Sequence, residues 1–160
     1  MSDMAFSESC HPDTIMMYEY WLAKCGDRTV PARADIDPIE MPRRLLPGIC
    51  IVDVVADERR YVYRLVGTGD AEVRGNDPTG KSVLEGFFGP SAEDALSCYD
   101  KVVKSRAPFL DAAPFTAPSG KYVNEETLFL PLSDDGMTVN KILVFSYSRD
   151  VRRYSETTGL

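Results

Sequence analysis

An alternating run that stops on closely spaced glycines constrains this chain more than any other stretch. Tyr61-Val62-Tyr63-Arg64-Leu65-Val66 sets aromatic and β-branched residues in the pattern of a strand. Gly67-Thr68-Gly69 then ends it, glycine being suited to the positive φ that a sharp exit demands. Asp70 to Arg74 predicts a polar turn of helix, and Gly75-Asn76-Asp77-Pro78-Thr79-Gly80 a loop. A strand that leaves into short helical turns, ahead of a longer helix, predicts a half-open sheet wrapped over small helices. Such a shape leaves a cavity between sheet and helices.

The same stretch matches the phosphate-binding pattern G-x-x-x-x-G-K-[ST] from Gly75 to Ser82. That chemistry needs backbone N–H groups around phosphates at the start of a helix, after a buried strand. Here polar Asp70-Ala71-Glu72-Val73-Arg74 precedes the loop, and Gly86 follows Val83-Leu84-Glu85 before a long helix can form. No downstream apolar strand ends in an aspartate for magnesium. The segment reads as a loop rich in turn residues.

Composition narrows the partners. A chain of 160 residues is long enough to bury one real core. Its net charge of −7 argues against nucleic acid or an anionic membrane, both of which require a basic face. No apolar run is long enough to span a bilayer, and MSDMAFSESCHPD lacks a basic and apolar leader pattern, so a cytoplasmic location is expected. Cys10, Cys25, Cys50 and Cys98 are widely spaced and form no C-x-x-C, which suits reduced, mostly buried thiols and indicates no metal site.

Along the chain, residues 1–12 read as a flexible tail, 13–47 as a helical extension, 48–150 as the core and 151–160 as a second tail. Ile15, Tyr18, Trp21, Leu22 and Cys25 recur at helical spacing, with Gly26 at the C-cap. Residues 28–36 read as an extended linker. Asp37-Pro38-Ile39-Glu40 carries a cap residue, a proline at the first helical position and a glutamate placed for a capping box. Pro42 predicts that this helix stays short or kinked, ending by Gly48. Ile49 to Val55 reads as a central strand that turns through Ala56–Arg60 into the Tyr61 strand. Ser91-Ala92-Glu93-Asp94 introduces a long helix to Ser105, with Ala95, Leu96, Tyr99, Val102 and Val103 on its apolar face and Cys98 at the edge. Pro108–Ala113, Lys121–Leu132 and Asn140–Ser148 read as three further strands, with turns at Pro118-Ser119-Gly120 and Asp134-Asp135-Gly136.

That element order, with the hairpin from Leu130-Pro131-Leu132 to Val144-Phe145-Ser146-Tyr147-Ser148, resembles a PAS domain. The whole chain is similar to single-domain bacterial PAS proteins of poorly known function. The shared features are Tyr20-Trp21, Pro31-Ala32-Arg33-Ala34-Asp35-Ile36-Asp37-Pro38, Leu46-Pro47, Tyr63-Arg64-Leu65-Val66-Gly67-Thr68 and Thr79-Gly80-Lys81. The resemblance implies an α+β fold: a five-stranded antiparallel sheet, its first strand beside the second and the fifth, with helices on one face and an N-terminal helical extension. It implies sensing or protein interaction in signalling, not catalysis. It transfers no cofactor. Haem-binding relatives ligate iron through a histidine near the long helix, whereas His11 is in the tail. The flavin-adduct motif is missing around Cys98.

Alternation puts Cys50, Val52, Val54, Tyr61, Tyr63 and Leu65 on one side, expected to face the long helix. Val54, Tyr63, Leu65, Cys98 and Tyr99 are therefore the candidate residues for holding a small organic ligand, with simple core packing as the alternative. The apolar excess of the first helix predicts a homodimer with Trp21 or Tyr18 at the contact. The alternative is a helix lying flat on its own sheet. Asp53 and Arg64 fall on the opposite side of the hairpin, directly or diagonally across, and predict a structural ion pair. The enzymatic alternative is a small α+β-barrel isomerase using a buried carboxylate, with Asp53, Glu125 and Glu126 as candidates.

Overall fold

The computed structural model describes residues 10–86, 92–116 and 122–148. Five strands form one antiparallel sheet: β1 Ile49–Val54, β2 Tyr61–Val66, β3 Phe109–Thr116, β4 Tyr122–Leu132 and β5 Lys141–Ser148. They lie in the order β2-β1-β5-β4-β3, so the first strand sits between the second and the fifth, as expected. β1 is an interior strand, and its residues from Ile49 to Asp53 are buried on both faces of the sheet.

Helix α1, Pro12–Cys25, covers one face of the sheet. Its Met17, Tyr18, Trp21 and Cys25 meet Ile49 and Ile51 of β1, Leu128, Leu130 and Leu132 of β4, and Leu143 and Phe145 of β5. The Trp21 indole N–H donates to the Pro131 carbonyl at 2.8 Å. Trp21 is 3% exposed and Tyr18 6%, so neither stands at a dimer contact. The helix lies flat on its own sheet, its apolar residues covered by the leucines of β4 and β5.

His11 belongs to the fold and not to a tail. Its Nδ1 accepts the Asp13 N–H at 3.1 Å as the N-cap of α1, its ring stacks on Tyr147 at 3.8 Å, and its own N–H donates to Glu126. Residues 28–48 continue across the same sheet face. Part of the stretch expected to be extended folds into a 3₁₀ turn, Arg33–Asp35, because the Asp35 carboxylate accepts the Ala32 N–H. Asp37 caps a second turn, Pro38–Glu40, as its sequence predicted. Glu40 does not close a capping box: it pairs with Lys24 and accepts from the Tyr20 hydroxyl, which in turn takes the Asp37 N–H. A third 3₁₀ turn, Arg43–Gly48, leads into β1.

On the far face of the sheet lie three helices: α2 Thr68–Arg74, α3 Val83–Gly86 and α4 Ala92–Ser105. The expected cap of α4 at Ser91 and the turn at Pro118-Ser119-Gly120 lie outside the described residues. Tyr99 and Val102 of α4 pack on Cys50 and Val52 of β1, Tyr61 and Tyr63 of β2, and Phe129 of β4, while Glu93, Asp94, Ser97, Lys101 and Lys104 face water.

The β1–β2 register pairs Val54 with Tyr61, Asp53 with Val62 and Val52 with Tyr63, then slips by one so that Ile51 meets Leu65. Arg64 is the extra residue of a bulge. A bulge reverses the alternation beyond it. Leu65 is thereby turned away from α4 and left 44% exposed, which corrects its expected place on that side, and Val66 takes the inward position.

Candidate functional site

Between the sheet and helices α2 to α4 the chain places aromatic rings and one buried polar network. The Cys50 thiol donates to Asp70 Oδ2 at 3.0 Å. Arg74 Nε donates to the same oxygen at 2.8 Å, one helical turn along α2. Arg74 Nη1 donates to the carbonyl of Gly86 at 2.9 Å, and the guanidinium stands over the Tyr63 ring, 4.7 Å from its centroid. Side chains from β1, β2 and α2 and a carbonyl of α3 thus meet around one ion pair. Its members are only 8% (Arg74) and 2% (Asp70) exposed.

The sequence brings this about through glycine and not through strain. Gly67 leaves β2 with φ −66°, a value open to any residue, so the positive φ expected there is not used. A side chain at Gly67 would instead lie 2.4 Å from the Pro47 carbonyl oxygen, so glycine lets α2 start hard against the Arg43–Gly48 turn. That contact fixes α2 with Asp70 turned toward β1. Gly86 does the same at the other end, where a Cβ would sit 3.1 Å from a Tyr63 ring carbon.

The site's protons follow from burial. Burial, reinforced by the Asp70 charge beside it, pushes the Cys50 thiol well above its ordinary range. Burial also raises Tyr63 and Tyr99. Burial alone would favour losing the Arg74 proton, but the charge of Asp70 outweighs it and the guanidinium stays charged. The Cys98 thiol is lifted to about 11, mainly by burial. None of these groups is poised to exchange protons near neutrality.

Of the candidates read from the sequence, Tyr63, Cys98 and Tyr99 lie in this cluster, with Val54 packed at its edge and Leu65 outside it. Tyr99 stacks on Tyr61 at 5.0 Å and meets Phe129 edge-on at 5.1 Å. Asp70 and Arg74 are the residues that sequence reading passed over. Their spacing of four with opposite charges signals an ion pair, but nothing in the string says it is buried. The phosphate-loop pattern has its donors occupied. The N–H groups of Thr79, Gly80, Lys81 and Ser82 bond to Asp77, the Tyr63 carbonyl, the Pro78 carbonyl and Glu85.

The other candidate acids are placed differently. Asp53 receives Arg64 Nε at 2.7 Å and Lys141 Nζ at 2.6 Å, so the expected pair exists in diagonal register and has a third member. Arg64 is 69% exposed there. Burial would raise the Asp53 carboxyl, but hydrogen bonds from Lys141 and Arg64 outweigh it and hold it below its usual value. Glu125 accepts from Thr127, and Glu126 from the His11 N–H. The four cysteines are free thiols, and no cluster of metal-ligating side chains occurs among the described residues. Nor is any helix among them long and apolar enough to cross a membrane.

A PAS domain family model matches residues 9–145. The chain belongs to the PAS domain family. Solved structures agree on the fold. A fungal LOV domain photoreceptor superposes with a TM-score of 0.54 at 13% identity, over 84% of this chain and 91% of that one. The light-state Aureochrome1 LOV domain gives 0.53 at 8% identity, over 72% and 91%. The LOV domain of the blue-light activated histidine kinase EL346 from Erythrobacter litoralis gives 0.50 at 12%, over 62% and 93%. At such identities the likeness is one of fold. No curated protein matches the sequence.

Proposed function

We propose that this protein is a non-enzymatic sensory module of bacterial signalling, cytoplasmic, that holds a small organic molecule between the sheet and α4. One observation carries the reading: among the aliphatic residues on the α4 side of the sheet stand Tyr61, Tyr63 and Tyr99 and a buried ion pair, which packing alone does not require. A buried ion pair gains little stability over an apolar replacement, so its retention favours a role in recognition. The ligand would be held by Tyr63, Cys98 and Tyr99, which belong to the buried cluster on that side, and by Val54 packed against it. The similarity of fold to the LOV domain of a light-activated histidine kinase supports a place in signal transduction. Against the isomerase reading, Asp53 is held ionised by two cations, the opposite of a general acid kept protonated at neutral pH.

Self-association through α1 is the accompanying proposal. It has to use the outer surface of that helix, where Leu22 is 43% exposed. Native mass spectrometry of the purified protein tests both statements. A bound small molecule supports the first and its absence, in protein purified from its own host, removes it. A strictly monomeric spectrum at micromolar concentration removes the second.

A further inference from the structure

We propose that the α1-side surface of β2 docks a segment of another protein that carries a carboxylate beside aliphatic side chains. Val62, Arg64 and Leu65 form its centre, and the contact is made by side chains alone. The surface is separate from the residues proposed to hold a small molecule and from the outer side of α1.

The bulge builds this surface. In a regular strand consecutive side chains point to opposite faces. Here Val62 stands opposite Asp53 and Leu65 opposite Ile51, while Arg64, the extra residue, reaches Asp53 as well. Ile51 belongs to the cluster under α1, so Arg64 and Leu65, adjacent in sequence, are both turned to that side. Helix α1 lies over β4 and β5, and Ile36, Met41 and Leu45 share the buried cluster with Ile49 and Ile51 of β1. β2 lies beyond this cover, at the edge of the sheet, and leaves Arg64 and Leu65 exposed. At the end of the strand, exposed Pro47 and half-buried Leu46 come up against Gly67 and Gly69 and lengthen the apolar strip.

Charge selects the occupant. Asp53 accepts Arg64 Nε at 2.7 Å on one oxygen and Lys141 Nζ at 2.6 Å on the other. Two positive charges stand against one negative, and among the described residues neither cation pairs with a second carboxylate. The patch therefore carries a surplus positive charge on a chain whose net charge is −7. Arg64 is the member able to turn outward, because Lys141 keeps the buried Asp53 compensated. An incoming carboxylate thus gains a guanidinium without stranding a charge, and Leu65 and Val62 supply apolar contact beside it. The backbone sets the mode. The outer edge of β2 is taken, since the Tyr63 N–H donates to the Lys81 carbonyl at 3.0 Å, the Tyr63 carbonyl accepts the Gly80 N–H at 2.8 Å, and Val62 bridges to Ser82. A partner cannot add there as a strand, so it is read by the face of β2. A helical segment with its acid and an aliphatic residue three or four positions apart presents both on one side and fits this surface.

A phage-displayed library of random peptides, selected against the whole chain, supplies the probe. The enriched peptides are expected to carry Asp or Glu three or four positions from Leu, Ile or Val. The tightest of them, labelled with fluorescein, is titrated by anisotropy against the wild-type protein and its variants. Arg64→Ala and Leu65→Ser should each weaken binding at least about tenfold, with urea unfolding midpoints close to the wild-type value because both side chains are exposed. Arg64→Ala alone serves if the second variant does not fold. Exchanging the peptide's acid for its amide should bring a similar loss against the wild-type protein and little further loss against Arg64→Ala. A selection that yields no enriched peptide, enriched peptides without an acid, or equal binding to Arg64→Ala and wild type would each overturn the proposal. Native mass spectrometry of Arg64→Ala adds a last check: a wild-type dimer that falls apart in this variant would overturn the foreign partner and give the surface to a second copy. A bound small molecule does not enter the peptide titration, so this proposal and the ligand reading fail separately.

Discussion

The two faces of the sheet differ in how deeply each carries an ion pair. Under α1, Met17, Leu45, Leu128, Leu130, Leu132 and Leu143 are fully buried beside Tyr18, Trp21 and Phe145, and the buried Asp53 pairs with a mostly exposed Arg64 and with Lys141. Under α4, Tyr61, Tyr63, Tyr99 and Phe129 lie among valines and Ile142, and both members of the Asp70–Arg74 pair are buried. A side chain such as leucine fills space and does nothing else. A tyrosine above a guanidinium fixes an orientation.

Hollowing the aliphatic face should have the largest effect. Leu130 is fully buried, and Leu130→Ala should lower the unfolding free energy in urea by about 3 to 4 kcal/mol. A loss under about 1 kcal/mol would mean that α1 is not seated as described. Next comes the buried pair. Asp70→Asn leaves Arg74 without its counterion and should cost about 3 kcal/mol. The Asp70→Asn, Arg74→Met double variant should lose less than the sum of the single losses, because the second change removes the stranded charge. Additive losses in that cycle would show that the two faces do not differ in where their charges matter.

The Asp53 carboxylate should show itself through pH. Asp53 has a folded-state pKa below its unfolded value, so its stabilisation is fully present above about pH 4 and is lost as pH falls through the folded value. The stability gap between the wild-type protein and Asp53→Asn should be about 1 kcal/mol at pH 7 and close on acidification. A gap that widened with acid would reverse the sign assigned here. The smallest effect belongs to Arg64→Ala, within about 0.5 kcal/mol, since Arg64 is mostly in water and Lys141 still holds Asp53. A large loss there would erase the distinction between rim and interior.

The string of residues was most legible where one local rule governed. Gly26 after α1, Asp37 before its proline and the β-branched run of β1 each acted as their own chemistry dictates. It was least legible where an outcome depended on a distant surface. Trp21 looked like a dimer anchor because nothing nearby in sequence announces the Pro131 carbonyl that receives it. Leu65 was read on the wrong side because strict alternation cannot foresee the bulge at Arg64. His11 seemed part of a tail, although His-Pro-Asp at the head of a helix is a capping arrangement that could have been recognised. Asp70 and Arg74 were visible as a helical charge pair, but their burial depends on how closely Gly67 lets α2 approach Pro47.

The strand order also bears on how the molecule is assembled. β1 and β2 form one hairpin, β3, β4 and β5 form a meander, and only the β1–β5 ladder joins them. Its end pair, Asp53 and Lys141, is separated by 88 residues. Each half can pair locally, whereas the join must wait for a long loop to close, and such distant pairing slows folding. Until then the outer edges of β1 and β5 are both open strands, able to pair with other chains. The period before the join closes is the stage of folding at which this protein is most exposed to aggregation.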